Sequence, residues 1–117
     1  MSESFNLHFI GSEADLPLLD RLQGAPMIGM DSEWRPTVKP FAEQRLAIFQ
    51  LSSETDAFVI DLISLANNSA LDAKLTSIFT DERTLSLGFA FSSDTNMFNE
   101  SLPGMNFFKR FARFLDI

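Results

Sequence analysis

The sequence predicts an α/β domain built on a mixed β-sheet with flanking helices. Short apolar runs of strand length recur at Met27, Arg45, Ala57 and Thr84. Between and after them lie segments whose apolar residues repeat at helical spacing, such as Leu71, Leu75, Ile78 and Phe79. The short polar turn from Ser52 to Asp56 implies an antiparallel hairpin. The strand–helix–strand crossover that follows implies a parallel neighbour, so one sheet carries both directions.

Composition sets the outer bounds. At 117 residues the chain is one domain, residues 1–117, with room for one core. It has thirteen Phe, no Tyr and no Cys, which excludes disulfides and thiolate zinc sites. No apolar run reaches membrane-spanning length, and the polar start Met1-Ser2-Glu3-Ser4 is unlike a signal peptide. An intracellular location, nucleus or cytoplasm, and no membrane partner are the expectations. A net charge of −7 argues against simple electrostatic capture of nucleic acid. Bound divalent cations would offset clustered acids.

The elements follow in order. Phe5 to Ile10 alternates as an edge strand, with Phe5, Leu7 and Phe9 on one face. His8 lies on the other face and is expected to be exposed and structural. Ser12 or Asp15 caps a helix with Leu16, Leu19 and Leu22 on one side, Pro17 in its first turn, and Gly24 with Pro26 at its end. Met27 to Trp34 is a strand that Pro36 closes. Arg45 to Leu51 is apolar on both faces and is expected to be covered on both. Ala57 to Leu62 pairs with it. Asn67-Asn68-Ser69 caps the helix of Leu71 to Phe79, and Thr84 to Phe89 is the next strand. Ser92-Ser93 caps a helix carrying Asp94, Met97, Phe98 and Leu102, which Pro103-Gly104 closes. In the tail, Phe107, Phe108, Phe111 and Phe114 are expected to pack on the sheet beside Lys109, Arg110 and Arg113. Phe114 to Ile117 looks like the start of a further strand.

The chemistry is concentrated in acids. Asp31 and Glu33 alternate along one strand, so they point the same way, about 6.5–7 Å apart. That spacing suits two carboxylates reaching for hard cations. If the Thr84 strand lies parallel to the Met27 strand, their C-terminal ends are adjacent, and Asp94 faces Asp31 and Glu33. Three converging carboxylates would repel one another unless cations neutralised them. An Asp in the first turn of a helix is also favoured by the helix dipole with no function attached.

Three segments now gain meaning together: Ile28-Gly29-Met30-Asp31-Ser32-Glu33-Trp34, Arg45 to Leu51, and Phe58-Val59-Ile60-Asp61-Leu62. With Gly88-Phe89-Ala90-Phe91-Ser92-Ser93-Asp94, they resemble the first two motifs of the DEDD 3′–5′ exonucleases, in the RNase D and Werner-exonuclease branch. The resemblance implies a ribonuclease H-like fold and removal of nucleotides from a nucleic-acid 3′ end. It implies Asp31, Glu33 and Asp94 as catalytic metal ligands for two Mg²⁺ or Mn²⁺ ions, Asp31 bridging. Trp34 would lie near the terminal nucleotide.

The departures matter equally. The family uses a fourth Asp on a later helix, with a Tyr or His to orient the attacking water. This chain has no Tyr, and its one His is near the N-terminus. The resemblance therefore implies a domain incomplete at the C-terminus, with impaired activity. Part of one sheet face should lie bare, leaving an exposed apolar patch. The alternative is a non-catalytic nucleic-acid- or protein-binding module on the same fold.

Overall fold

The computed structural model describes residues 6–35, 45–89 and 91–117; for 34, 35, 45–47 and 92–94 it describes the backbone. The strands are β1 (Asn6–Ile10), β2 (Met27–Arg35), β3 (Arg45–Ser52), β4 (Asp56–Asp61), β5 (Leu85–Gly88) and β6 (Arg113–Asp116). They form one sheet in the order β1-β4-β3-β2-β5-β6. β3 is antiparallel to β2 and β4, while β1–β4, β2–β5 and β5–β6 are parallel. The mixed sheet, the edge position of β1, the hairpin and the parallel crossover all match the sequence reading.

The first helix departs from expectation in kind. Glu13–Leu22 is a 3₁₀ helix of 10 residues, long for that geometry. Leu16, Leu19 and Leu22 recur every third residue, which stacks them in one line at three residues per turn; all are buried. Pro17 lies within the helix rather than in its first turn and has no N–H to close an α-type bond back to Glu13. At the entry, the Asp15 carboxylate accepts from the N–H groups of Gly11 and Ser12, each at 3.1 Å. These bonds, that of Gly11 foremost, lower its pKa. The exit needs Gly24: its φ is +77°, and the Arg83 guanidinium lies 2.9 Å from where a Cβ would stand.

His8 is not exposed as expected. It points to the helix-covered face, stacks on Phe58 with ring centroids 4.6 Å apart, and meets Asp56 Oδ1 through Nε2 at 2.8 Å. Asp56 is 3% exposed. It also accepts from Arg21 Nε at 2.8 Å and Thr55 Oγ1 at 2.6 Å. This network ties the edge strand, the 3₁₀ helix and the hairpin together. The Thr55 hydroxyl first, then His8 and Arg21, hold the Asp56 carboxyl far below the usual carboxylate range.

The remaining helices cover the same face. In α1 (Ser69–Phe79), Asn68 is the cap, its Oδ1 accepting from the Leu71 N–H at 3.0 Å. Asp72 of α1 accepts from the N–H groups of Asn106 and Phe107 at 2.7 and 2.8 Å, fixing the 3₁₀ turn Phe107–Lys109. α2 (Phe91–Ser101) starts one residue before the expected Ser92-Ser93 cap, placing both serines inside its first turn. Its first N–H, that of Phe91, donates instead to Asp116 Oδ1 of β6 at 3.0 Å. Gly88 makes this tight β5–α2 turn feasible, because a Cβ there would stand 2.7 Å from the Phe91 Cβ. Phe49 is buried at the centre, against Phe79, Phe98 and Phe107 at centroid separations of 6.4, 5.4 and 5.5 Å. Phe107 and Phe108 are buried and Phe111 partly so, as expected of the tail, while Lys109 and Arg110 stay exposed. Phe114 departs from expectation: it touches Phe91 and Phe111 but stays 38% exposed, because β6 is the edge of the sheet.

The opposite sheet face is bare among the described residues. Alternation puts Leu7 and Phe9, Ala57 and Val59, Gln50 and Ser52, Gly29, Asp31 and Glu33, and Leu87 there. Leu7 is 74% exposed, Phe9 61%, Phe89 53% and Leu115 51%. The expected apolar patch is therefore present. The expectation that β3 is covered on both faces is corrected: Phe49 and Leu51 are buried, but Ile48 and Gln50 are half-buried and Ser52 is exposed. An unbroken apolar run can serve a one-sided strand, because the sheet leaves its other face open.

Two stability outcomes follow. Replacing Asp56 with Ala removes three hydrogen bonds and should cost about 3 kcal/mol at pH 7, read from urea midpoints. The folded-state pKa of Asp56 lies below its unfolded value of about 3.9, so the unfolded chain binds the proton first. Its contribution is present above that value and is lost as pH falls, so the deficit of Asp56→Ala should shrink in acid. Conversely, the buried Ser86 hydroxyl has no hydrogen-bond partner among the described residues. Ser86→Ala should raise the melting temperature, with a gain on the order of 1 kcal/mol.

Candidate functional site

β2 lies between β3 and β5. Its parallel register with β5 ends at Met30↔Gly88, whereas its antiparallel register with β3 continues to Arg35↔Arg45. Residues 31–35 therefore run past the end of β5, paired in the ladder with β3 alone. Asp31 and Glu33 occupy this overhang, both on the open face and both exposed. Asp31 stands opposite Gln50 and Glu33 opposite Ile48. The register slips immediately after Glu33, with Trp34 opposite Leu46. Such a bulge bends the strand and re-aims the side chains beside it. Asp31 Oδ1 also accepts from the Ser32 N–H at 2.9 Å.

The helix that carries Asp94 begins at the same end of the sheet. Phe89 and Ala90 separate Gly88 from the start of α2, and Asp94 is the fourth helical residue. The adjacency of the β2 and β5 ends is thus observed in the backbone. The side chain of Asp94 lies outside the described residues, as does that of Trp34, so their expected roles pass to the proposal below. The first turn of α2 is a favourable place for negative charge, since its N–H groups lack helical acceptors. Asp116 already uses one of them. That bond was missed by sequence reading, because it joins residues 25 apart through an unforeseen β5–β6 register.

Among the described residues, no three or more His, Cys, Asp or Glu side chains are grouped to hold a metal ion. Asp61 shares the open face, opposite Ile48. Its carboxylate is engaged locally, accepting from the Ile63 N–H at 3.0 Å and the Ser64 hydroxyl at 2.9 Å. His8 belongs to the Asp56 network on the covered face. The donor set that remains, two exposed carboxylates side by side, offers hard oxygen ligands. Those suit Mg²⁺ or Mn²⁺ and not a thiophilic ion. A trough of about 330 Å³ adjoins Asp31, with Gly29, Gln50, Ser52, Ala57 and Val59 among its lining. Gln50 enters only through the β2–β3 register, so no sequence motif would have singled it out.

Comparison with known proteins places this geometry in context. An exonuclease mut-7 homolog of Aedes aegypti is 32% identical over 104 residues, which is 86% of this chain and 14% of that protein. The Nibbler EXO domain of Aedes aegypti superposes with a TM-score of 0.80 at 28% identity, covering 95% of this chain and 52% of its own. RNase D of Trypanosoma brucei, solved as a GMP complex, superposes with a TM-score of 0.73 at 22% identity, covering 96% and 33% respectively. The chain thus spans about half of the first structure and a smaller part of the other two proteins. The family described as 3′–5′ exonuclease matches residues 12–114, from the entry of the first helix into β6. The chain belongs to the 3′–5′ exonuclease family, with the ribonuclease H-like α/β fold of its structural neighbours.

Proposed function

We propose that residues 1–117 form a single, partial exonuclease domain that contributes to metal-dependent hydrolysis of phosphodiester bonds at nucleic-acid 3′ ends. The observation that carries the reading is the pair Asp31 and Glu33 on the overhang of β2, where β5 ends and α2 begins. In this reading Asp31 and Glu33 hold Mg²⁺ or Mn²⁺, Asp31 as the shared ligand, and Asp94 completes the acidic set from α2. Family membership supports the reaction class. The GMP held by the Trypanosoma brucei RNase D neighbour is consistent with a nucleotide 3′ end as substrate.

The chain's own groups divide the work. Divalent cations, when bound, supply activation of water and stabilisation of the leaving oxygen. Asp31 and Glu33 fix where that charge sits, on a rigid strand paired with β3. Gln50, opposite Asp31, can donate from its amide to a carboxylate or a phosphate oxygen. Without cations, this acidic edge of a chain with net charge −7 repels the phosphate backbone. Nucleic-acid binding should therefore require the metal.

The chain offers no Tyr, and its single His is bound to Asp56 on the covered face. It has no residue of either type near Asp31 to orient an attacking water. That observation favours an activity of the isolated chain that is impaired, and it keeps open a second reading, a binding module on the exonuclease fold. Mn²⁺ titration by calorimetry should show binding that Asp31→Asn or Glu33→Gln weakens by about 10-fold or more. Nucleotide release from a 3′-labelled strand in Mn²⁺ should be at least about 100-fold slower than from a complete domain of the family. Strand binding that persists in chelator and in the Asp31→Ala, Glu33→Ala double variant would favour the module.

A further inference from the structure

The cations of the chain are unevenly engaged. Among the described residues, Arg21, Lys74 and Arg83 are ion-paired with Asp56, Asp20 and Asp81 at 2.8, 2.6 and 2.7 Å. Residues 101–115 carry three cations, Lys109, Arg110 and Arg113, and no acid. All three are exposed, and none is ion-paired among the described residues. In a chain of net charge −7, where acids are in surplus, cations left without a carboxylate are the exception.

Two of the three border a hollow. It measures about 440 Å³ and is lined by Thr76 of α1 and by Asn106, Lys109 and Arg110 at the 3₁₀ turn. Lys109 Nζ donates to Asn106 Oδ1 at 3.3 Å and lies 5.6 Å from the centroid of the Phe108 ring. Asp72, the one acid of α1, is already engaged by the N–H groups of Asn106 and Phe107. Arg113 stands around the corner. It opens β6, the edge strand, and alternates with Phe114, which packs on Phe91 of the covered face, so it points to the open face. The three cations thus cross the edge of the sheet from one face to the other, level with Leu85 rather than Gly88. The last turn of α1 has no basic residue, and its dipole favours a cation nearby. That dipole amounts to about half a charge, which one cation meets and three exceed.

Cations spaced along an edge suit a ligand with spaced anions. We propose that Lys109, Arg110 and Arg113 form a track for the phosphodiester backbone of a single-stranded nucleic acid, separate from the Asp31 overhang. The guanidinium forks of Arg110 and Arg113 and the Lys109 ammonium donate to phosphate oxygens, and the Thr76 hydroxyl and Asn106 amide add neutral donors. Screening confines each charge to about 8 Å at physiological salt, so acids elsewhere on the chain do not cancel the track. In its choice of partner the inference rests on the proposed function: the track holds nucleotides on the 5′ side of the end bound at the metal. Arg113 is level with a residue three before the end of β5, about 10 Å along the strand, so only a strand longer than its terminal nucleotides reaches it.

Fluorescence anisotropy of a labelled oligonucleotide of about 15 nucleotides, within the range of single-strand site sizes, tests it in Mn²⁺ at several salt concentrations. The Lys109→Gln, Arg110→Gln, Arg113→Gln triple variant should bind at least about 10-fold more weakly than the parent. The slope of its log affinity against log salt should be shallower by about 2, since each phosphate contact on a single strand contributes about 0.7. The three side chains are exposed, so the variant should melt with the parent and bind Mn²⁺ equally well by calorimetry, which separates a lost track from a lost fold. Affinity and slope both unchanged would overturn the track, and normal Mn²⁺ binding beside that result would leave the metal reading standing. A slope difference retained in a parent that binds no Mn²⁺ would support the track and sink the metal reading alone. No saturation of the parent by about 100 µM strand, the weak end of non-specific binding, would overturn the proposal. Displacement of the strand by a Glu-rich peptide at equal concentration would also overturn it, assigning the cations to an acidic protein partner.

Discussion

The parallel pairing of β2 with β5 is the constraint from which the rest follows. Four registered pairs, from Met27↔Leu85 to Met30↔Gly88, fix where β5 stops and β2 continues. They leave Asp31 and Glu33 on an overhang held by β3, and they start α2 beside it. Gly88 is the residue that permits this geometry, since a side chain there would collide with Phe91 and with Phe114. A larger residue would push α2 or β6 away from the sheet. The candidate site is therefore a property of strand ends and of one close backbone approach, and not of a preformed cavity.

The second organising feature is the asymmetry of the sheet. All the described helices, the phenylalanine cluster around Phe49 and the Asp56 network lie on one face. That face supplies the burial: removing a side chain such as Phe49 would forfeit about 3–5 kcal/mol. The other face holds the acids and the exposed apolar residues together. The candidate site and the exposed apolar residues thus share a surface.

Much of this was legible in the sequence because the signals were periodic. Strand alternation and the helical stripe of α1 located the elements, and the short turn at residues 52–56 set the hairpin. The Asp31–Ser32–Glu33 pattern placed two carboxylates on one side by geometry alone. Three features were not legible. His8 looks like a lone surface residue until β1 pairs with β4 and brings Asp56 within reach. The leucine spacing of three is compatible with an α-helix, and Pro17 suits the first turn of one, so nothing local in the sequence distinguishes the 3₁₀ form. The cap of α2 comes from Asp116, which no local rule around Ser92-Ser93 could supply. In each case the deciding partner is distant in sequence.

On the proposed function, Asp31, Glu33 and Asp94 would together hold a divalent cation at the end of β2. Anomalous scattering from crystals of this chain soaked in Mn²⁺ tests it most directly. A peak is expected at the overhang, with carboxylate oxygens of all three residues about 2.0–2.6 Å from the metal. Ordered Asp31 and Glu33 carboxylates with no peak between them, or an Asp94 carboxylate turned away and well beyond coordination distance, would contradict it.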